Sequence, residues 1–172
     1  MADQAATIIR LRESSDIGSL IDILTTVYNL TRYPVDGPSS FSTRFKASNS
    51  LVSIVALYKG ALAGHAELQD ISGLNSLVVD FLQSQGPLNS FAALVSLFVD
   101  PRMQGKGIGA RLVEEAVERG RQRGRRLVLI VLDKDTTAIR MYEKLGWERK
   151  VEYVYENKQG AKYGAFAYIA PT

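Results

Sequence analysis

Residues 91–132 constrain the fold more than any other stretch of this chain. "FAALVSLFV" is an apolar run that leads into Asp100-Pro101. Gly105, Gly107 and Gly109 follow, then helix-favouring sequence to about Arg123, then Gly124 and "RLVLIVL". Six apolar residues in succession, Leu127 to Leu132, suit a strand covered on both faces, as in a parallel βαβ unit. A glycine inside a helix costs roughly 1 kcal/mol relative to alanine, so three at a helix entrance need a reason. A tight turn needs only one. Three suit a backbone that something approaches closely. Strand, glycines and helix together present unpaired N–H groups at the positive end of a helix, where phosphate binds readily. The helix carries Ile108, Leu112, Val113, Ala116 and Val117 on one face, whose burial would hold that end in place.

The rest of the chain supplies a sheet for this unit. "TIIRLRE" reads as a first strand, followed by an acidic-capped helix from about Ser15 to Tyr28 with Ile17, Leu20, Ile21 and Leu24 on one face. "NLTRYPVDGPSS" is loop by composition, and "FSTRFKAS" reads as a short second helix. "LVSIVALY", Lys59-Gly60 and "ALAGHAELQ" form a hairpin pattern. Residues 70–90 are open to a helix over "LNSLVVDFLQS", ended by "QGPLNS". "DTTAIRMYEKLGW" is a helix with Asp135 or Thr136 as N-cap and Gly146 just past its end. "ERKVEYVYEN" and "AKYGAFAYIA" read as a final hairpin. The order β, α, α, β, β, β, α, β, α, β, β defines an α/β or α+β chain with a mixed sheet.

At 172 residues the chain suits a single domain over 1–172, with a core of its own. It has no cysteine, so disulfides, zinc ribbons and a thiol nucleophile are excluded. Its one histidine, His65, argues against a metal site. "MADQAATIIRLRES" lacks the apolar core of a signal peptide, and no apolar run approaches ~20 residues. A cytoplasmic location without a membrane role is the expectation. The net charge of +3 permits an anionic ligand without demanding nucleic acid. Arg119, Arg121, Arg123, Arg125 and Arg126 are dense but lack interleaved aromatics, and they read as a solvated helix end rather than a nucleic-acid surface.

Two common phosphate motifs fit the glycine stretch poorly. A P-loop needs Ser or Thr after its lysine, but Lys106 precedes Gly107. The dinucleotide fingerprint is G-x-G-x-x-G, whereas the spacing here is G-x-G-x-G. Gln104-Gly105-Lys106-Gly107-Ile108-Gly109 instead resembles the Q/R-x-x-G-x-G/A motif of the general-control-related N-acetyltransferases, the GNAT superfamily. "DTTAIRMYEKLGW" resembles that family's N-x-x-A-x-x-x-Y-x-K-x-G-F helix at Ala138, Tyr142, Lys144 and Gly146. Trp147 stands where phenylalanine is usual, and Asp135 where asparagine is frequent. The element order agrees from about Thr7 to Ile169.

The resemblance implies a GNAT fold: a mixed, mostly antiparallel sheet of about seven strands with a central splayed parallel pair, flanked by four or more helices. It implies acetyl-CoA as acyl donor, with no metal. Gln104, Gly105, Lys106, Gly107, Ile108, Gly109 and Ala110 would hold its pyrophosphate. The backbone of Leu97, Phe98 and Val99 would pair with the pantetheine arm, and Asp135 and Tyr142 complete the coenzyme contacts. Arg102 is a further source of positive charge. Partners are then acetyl-CoA and an amine acceptor, with no nucleic acid and no membrane; a homodimer is compatible with this reading.

Acetyl transfer from a thioester to an amine needs a base for the amine, donors for the oxyanion and an acid for the thiolate. Tyr142 falls on the family's acid position, and a phenol of pKa ~10 keeps its proton at neutral pH. Its alternative is a core tyrosine sharing a face with Ala138, Ile139 and Leu145. The Phe98 N–H falls on the oxyanion position. Many relatives carry a strand glutamate before the glycine loop, but "ALVSLFV" offers only Ser96, too weak alone. His65 and Glu67 lie two apart on one strand face. They are base candidates or a polar face turned to solvent; Tyr33, Asp36, Tyr153 and Tyr155 rank behind them. Two functions stay open: an N-acetyltransferase acting on a small or peptide amine, and a coenzyme-binding or regulatory domain without catalysis. "YNLTRYPVDGPSS" and residues 70–90 are the expected acceptor-side segments. The second is either a lid or a cover for an apolar sheet face.

Overall fold

The computed structural model describes residues 6–172. Seven strands form one sheet in the order β1-β2-β3-β4-β5-β7-β6. They are β1 (Thr7–Leu11), β2 (Ser50–Tyr58), β3 (Ala61–Gln69), β4 (Phe91–Val99), β5 (Arg126–Leu132), β6 (Glu148–Glu156) and β7 (Lys162–Ile169). Five α-helices accompany them: α1 (Ile17–Thr31), α2 (Phe41–Arg44), α3 (Ser76–Gln85), α4 (Ile108–Gln122) and α5 (Thr136–Lys144). The sheet is mixed, because β4 and β5 run parallel while β1–β2, β5–β7 and β6–β7 are antiparallel. The chain divides into two compact units, one of Met1–Glu67 with Ser96–Ala116 and one of Leu68–Val95 with Val117–Thr172. Among the described residues no helix is long and apolar enough to cross a membrane.

In the first unit, α1 buries Leu20, Ile23, Leu24 and Val27 in a cluster with Phe41, Phe45, Val55 and Phe98. Burying a side chain of this size is worth about 1.5–3 kcal/mol, so this face rather than local propensity holds the helix. The buried stripe is turned from the expected one: Ile17 and Ile21 are only partly buried at its margin. The helix also outlasts the expected Tyr28. Asn29, Leu30 and Thr31 are helical, although "NLTRYPVDGPSS" reads as loop. It stops where Arg32 adopts φ 60°, just before Tyr33-Pro34, and helical geometry is disfavoured for a residue before proline. Asp16 precedes α1 without capping it by its side chain. It accepts two 2.8 Å hydrogen bonds from Arg10 and one of 2.7 Å from the Glu13 N–H.

In the second unit, β4 and β5 pair over Phe91–Leu94 and Arg126–Leu129. The ladder ends there, and the next-but-one residue of β4, Ser96, has φ +50°. A left-handed residue in a strand interrupts regular pairing. Residues 70–90 resolve into α3, whose N-cap Asn75 accepts from the Leu77 N–H at 2.9 Å. Val78 and Leu82 of α3 lie in a core cluster with Phe91, Val128, Ala167 and Ile169, and Phe81 packs against it. The helix therefore covers an apolar sheet face, and Leu82 is a core residue. The arginines near the end of α4 are mostly tied down. Arg123 donates to the Arg119 carbonyl at 3.0 Å, Arg125 to that of Phe91 at 3.1 Å, and Arg126 to that of Ala170 at 2.7 Å. Arg121 pairs with Glu118.

Candidate active site

The glycine stretch forms the entrance to α4 in the first unit. Gly105 and Gly107 adopt φ +78° and +75°, a region that costs other residues roughly 1–2 kcal/mol. The first helical hydrogen bond runs from the Arg111 N–H to the Gly107 carbonyl at 3.1 Å. The N–H groups of Ile108, Gly109 and Ala110 thus stand outside the helical ladder, behind two exposed glycines. Ile108, Leu112, Val113 and Ala116 are buried, which fixes the direction of these N–H groups. Val117, expected on the same face, is only half-buried.

Gly64 in β3 lets the neighbouring strand come close. A Cβ there would lie 2.9 Å from the Phe98 carbonyl oxygen and 3.0 Å from Leu112 Cδ1. Asp100 pairs its N–H with the Ala63 carbonyl at 2.7 Å and caps the turn by accepting from the Arg102 N–H at 2.9 Å. Its carboxylate also holds the Arg102 guanidinium at 2.7 Å, and that hydrogen bond keeps the Asp100 pKa below the usual range. Arg102 is therefore committed to its own turn. Lys106 lies with its Nζ 5.1 Å from the centre of the Tyr58 ring.

Close behind β4 in the same unit sits a buried polar network. His65 and Glu67 are 0% and 1% exposed, so of the two alternatives the solvent-turned strand face is excluded: the face is interior. Arg12 Nη1 lies 3.0 Å from His65 Nε2, and a guanidinium can only donate, so Nε2 accepts. The proton is then on Nδ1, which donates to the Ser96 carbonyl at 2.8 Å. Burial is the main cause that lowers the His65 pKa to about 4, and Arg12 and Arg44 lower it further. The ring stacks on Phe98 at 5.4 Å and meets the edge of Phe45 at 5.2 Å. Glu67 Oε1 accepts from Ser50 Oγ at 2.8 Å and Ser53 Oγ at 2.9 Å, with Arg12 at 3.9 Å. Both imidazole nitrogens are engaged, and the carboxylate is tied to two serines and a cation.

Tyr142 belongs to the second unit. It is buried, with its ring 5.9 Å from Trp147 and 6.5 Å from Tyr168. Trp147, in place of the usual phenylalanine, is a core partner of that ring, and its N–H donates to the Tyr142 carbonyl at 3.0 Å. Tyr168 donates its hydroxyl to Glu143 at 2.7 Å and accepts from Arg149 at 3.2 Å. Burial, then the bond to Glu143, raises its pKa. Asp135 is the N-cap of α5 without a side-chain capping bond, and its Oδ1 accepts from Lys134 Nζ at 2.8 Å. Among the described residues no group of three or more His, Cys, Asp or Glu side chains is placed to hold a metal ion.

The network contains Arg12, Arg44, Ser50 and Ser53, which sequence reasoning did not single out. Each is a polar residue near a strand or helix end, a position that ordinarily means solvent. Ser96, a hydroxyl in an otherwise apolar strand, stands out in the sequence, as His65 and Glu67 do.

The acetyltransferase (GNAT) family matches residues 20–147, and the chain belongs to that family. It is 43% identical over 60 residues to an uncharacterized N-acetyltransferase of Methanocaldococcus jannaschii. That match covers 34% of this chain and 26% of the relative, about a quarter of the relative's length. The fold is similar to Arabidopsis thaliana NAA60 in complex with acetyl-CoA, at TM-score 0.73 and 17% identity, over 95% of this chain and 97% of that one. It is similar to the ribosomal-protein-S18-alanine N-acetyltransferase of Escherichia coli, at TM-score 0.70 and 21% identity, over 96% and 93%. A putative acetyltransferase of Salmonella typhimurium, solved with acetyl-CoA, gives TM-score 0.69 and 16% identity over 95% and 92%. Identities this low show the fold alone.

Proposed function

We propose that this chain is an acetyl-CoA-dependent N-acetyltransferase that transfers the acetyl group directly to the primary amine of a small molecule. The observation that carries the reading is the entrance to α4, where three backbone N–H groups stand outside the helical ladder behind two left-handed glycines. That donor set has the chemistry of a diphosphate cradle. Gln104–Ala110 hold the pyrophosphate, with Lys106 adding charge. Leu97, Phe98 and Val99 offer main-chain partners to the pantetheine amides, and Asp135 contributes at the start of α5.

In the transfer, the amine nitrogen attacks the thioester carbon, the Phe98 N–H donates to the oxyanion, and the carbon–sulfur bond breaks. Tyr142 gives its hydroxyl proton to the departing sulfur and recovers one from solvent. His65 and Glu67 are base candidates whose acceptor atoms are already committed, so water takes the amine's proton in this reading. The same commitment favours the second reading, a coenzyme-binding domain without catalysis.

Release of free CoA thiol from acetyl-CoA, measured with a panel of small amines and peptide N-termini, separates the two. Amine-dependent release is expected, and Tyr142→Phe should lower kcat by ~10²–10⁴-fold with little change in coenzyme affinity. No release with any amine, despite coenzyme binding, favours the second reading. Near wild-type turnover in the variant returns Tyr142 to a packing role.

A further inference from the structure

Arg44 closes α2 in the first unit, and its side chain is half-buried. Its Nη1 donates to Ser96 Oγ at 3.2 Å, while its Nε is buried without a hydrogen-bond partner. An unmade hydrogen bond to a buried group costs about 1–3 kcal/mol, and more when the group is charged. No carboxylate among the described residues is in ion-pair contact with Arg44. Arg12 has Glu67 at 3.9 Å, and the His65 imidazole is neutral at pH 7 with its pKa near 4. The network thus holds two guanidinium cations against one carboxylate. The second cation has no counterion of its own.

Its position gives that deficit a use. Ser96 is the left-handed residue of β4, two positions before Phe98. Two strand residues span roughly 7 Å, about the reach of a small molecule with an amine at one end and an acid at the other. The Arg44 guanidinium matches a carboxylate in charge and planar geometry.

We propose that Arg44 binds the carboxylate of the acceptor, so that the substrate is a small amino acid with a free carboxylate rather than a peptide N-terminus. This rests on the acetyltransferase reading above. The ligand would supply the acceptor that Arg44 Nε lacks and the negative charge that the network lacks. An acceptor without that carboxylate would bring its ammonium group against a cation that has no counterion.

The test uses the twenty standard amino acids, each beside its C-terminal amide and a dipeptide beginning with the same residue, with thiol release as the readout. At least one free acid should exceed its amide and dipeptide tenfold or more in kcat/KM. Arg44→Ala should raise KM for that acid tenfold or more, leave KM for acetyl-CoA unchanged, and bring acid and amide to similar values. Arg44→Lys should restore part of the difference. Because Arg44 Nε is unsatisfied, Arg44→Ala should keep or raise the Tm of the unliganded protein, whereas a purely structural role predicts a fall. Amides or dipeptides used as well as free acids would overturn the proposal. So would equal losses on both forms in the variant, or no acceptor in any series while acetyl-CoA still raises Tm. Absence of that acetyl-CoA shift would instead overturn the acetyltransferase reading itself.

Discussion

The first unit holds two polar regions of opposite construction. The turn before α4 is made of backbone, exposed at Gly105 and Gly107, with N–H groups left outside the helical ladder. The network behind β4 is made of side chains, with His65 and Glu67 fully interior and their polar atoms committed. In the proposed function the turn receives the coenzyme, so disturbing it should affect binding first. The network is mostly satisfied from within, so disturbing it should damage the fold first. Arg44 is the exception inside the network, because its Nε is the one buried side-chain nitrogen or oxygen without a partner among the described residues.

The largest effect that sharpens this contrast comes from Glu67→Ala. It leaves Arg12 without its carboxylate and two serine hydroxyls without an acceptor. Breaking a buried pair costs about 3–5 kcal/mol, and the slight exposure of Arg12 places this case near 3. Chemical denaturation should show that loss, while acetyl-CoA still raises Tm. A variant as stable as wild type would break the contrast.

A smaller effect follows from His65. The folded imidazole titrates at about 4 and the unfolded one at about 6.5. Above pH 6.5 both states are neutral and the group contributes no pH dependence. Below it the unfolded chain takes a proton that the folded one refuses, so stability falls as pH drops from 6.5 towards 4. The slope approaches ~1.4 kcal/mol per pH unit. Between pH 6.5 and 5 the carboxylates contribute little, and Asp16 and Asp100, both held low by arginine hydrogen bonds, lose their contributions only in more acid solution. Denaturation from pH 7.5 to 5 should show the slope in wild type and lose it in His65→Gln. A flat wild-type profile would mean that the imidazole is not buried neutral.

The same two regions explain what could be read from the chain. Gly105 and Gly107 were legible because several glycines at a helix entrance are costly unless the backbone there must stay bare; their left-handed φ values are a second reason that the structure adds. Leu127–Leu132 was legible because a strand covered on both faces demands an unbroken apolar run. The network was not legible. Arg12, Arg44, the His65–Glu67 pair and Ser96 come from four places in the chain, and only Ser96, inside an apolar strand, has neighbours that mark it as interior. The alternation around His65 and Glu67 put them on one face but could not say that the face was inward. Gly64 was hidden for a related reason: its role is the approach of the Phe98 carbonyl and Leu112 from elsewhere in the chain. At α1, tertiary packing turned the buried stripe and carried the helix past a loop-like composition to Thr31.

The central claim is that the backbone of the turn before α4 holds the coenzyme, and the coenzyme-induced change in Tm tests it most directly. At 100 times its dissociation constant, acetyl-CoA should stabilise the wild-type protein by about 2.7 kcal/mol. Gly107→Val places a branched side chain at φ +75° and should remove that shift, while costing the free protein only about 1–2 kcal/mol. Gly107→Ala should weaken the shift with a milder cost. A full shift in both glycine variants, or none in the wild type, would contradict the account.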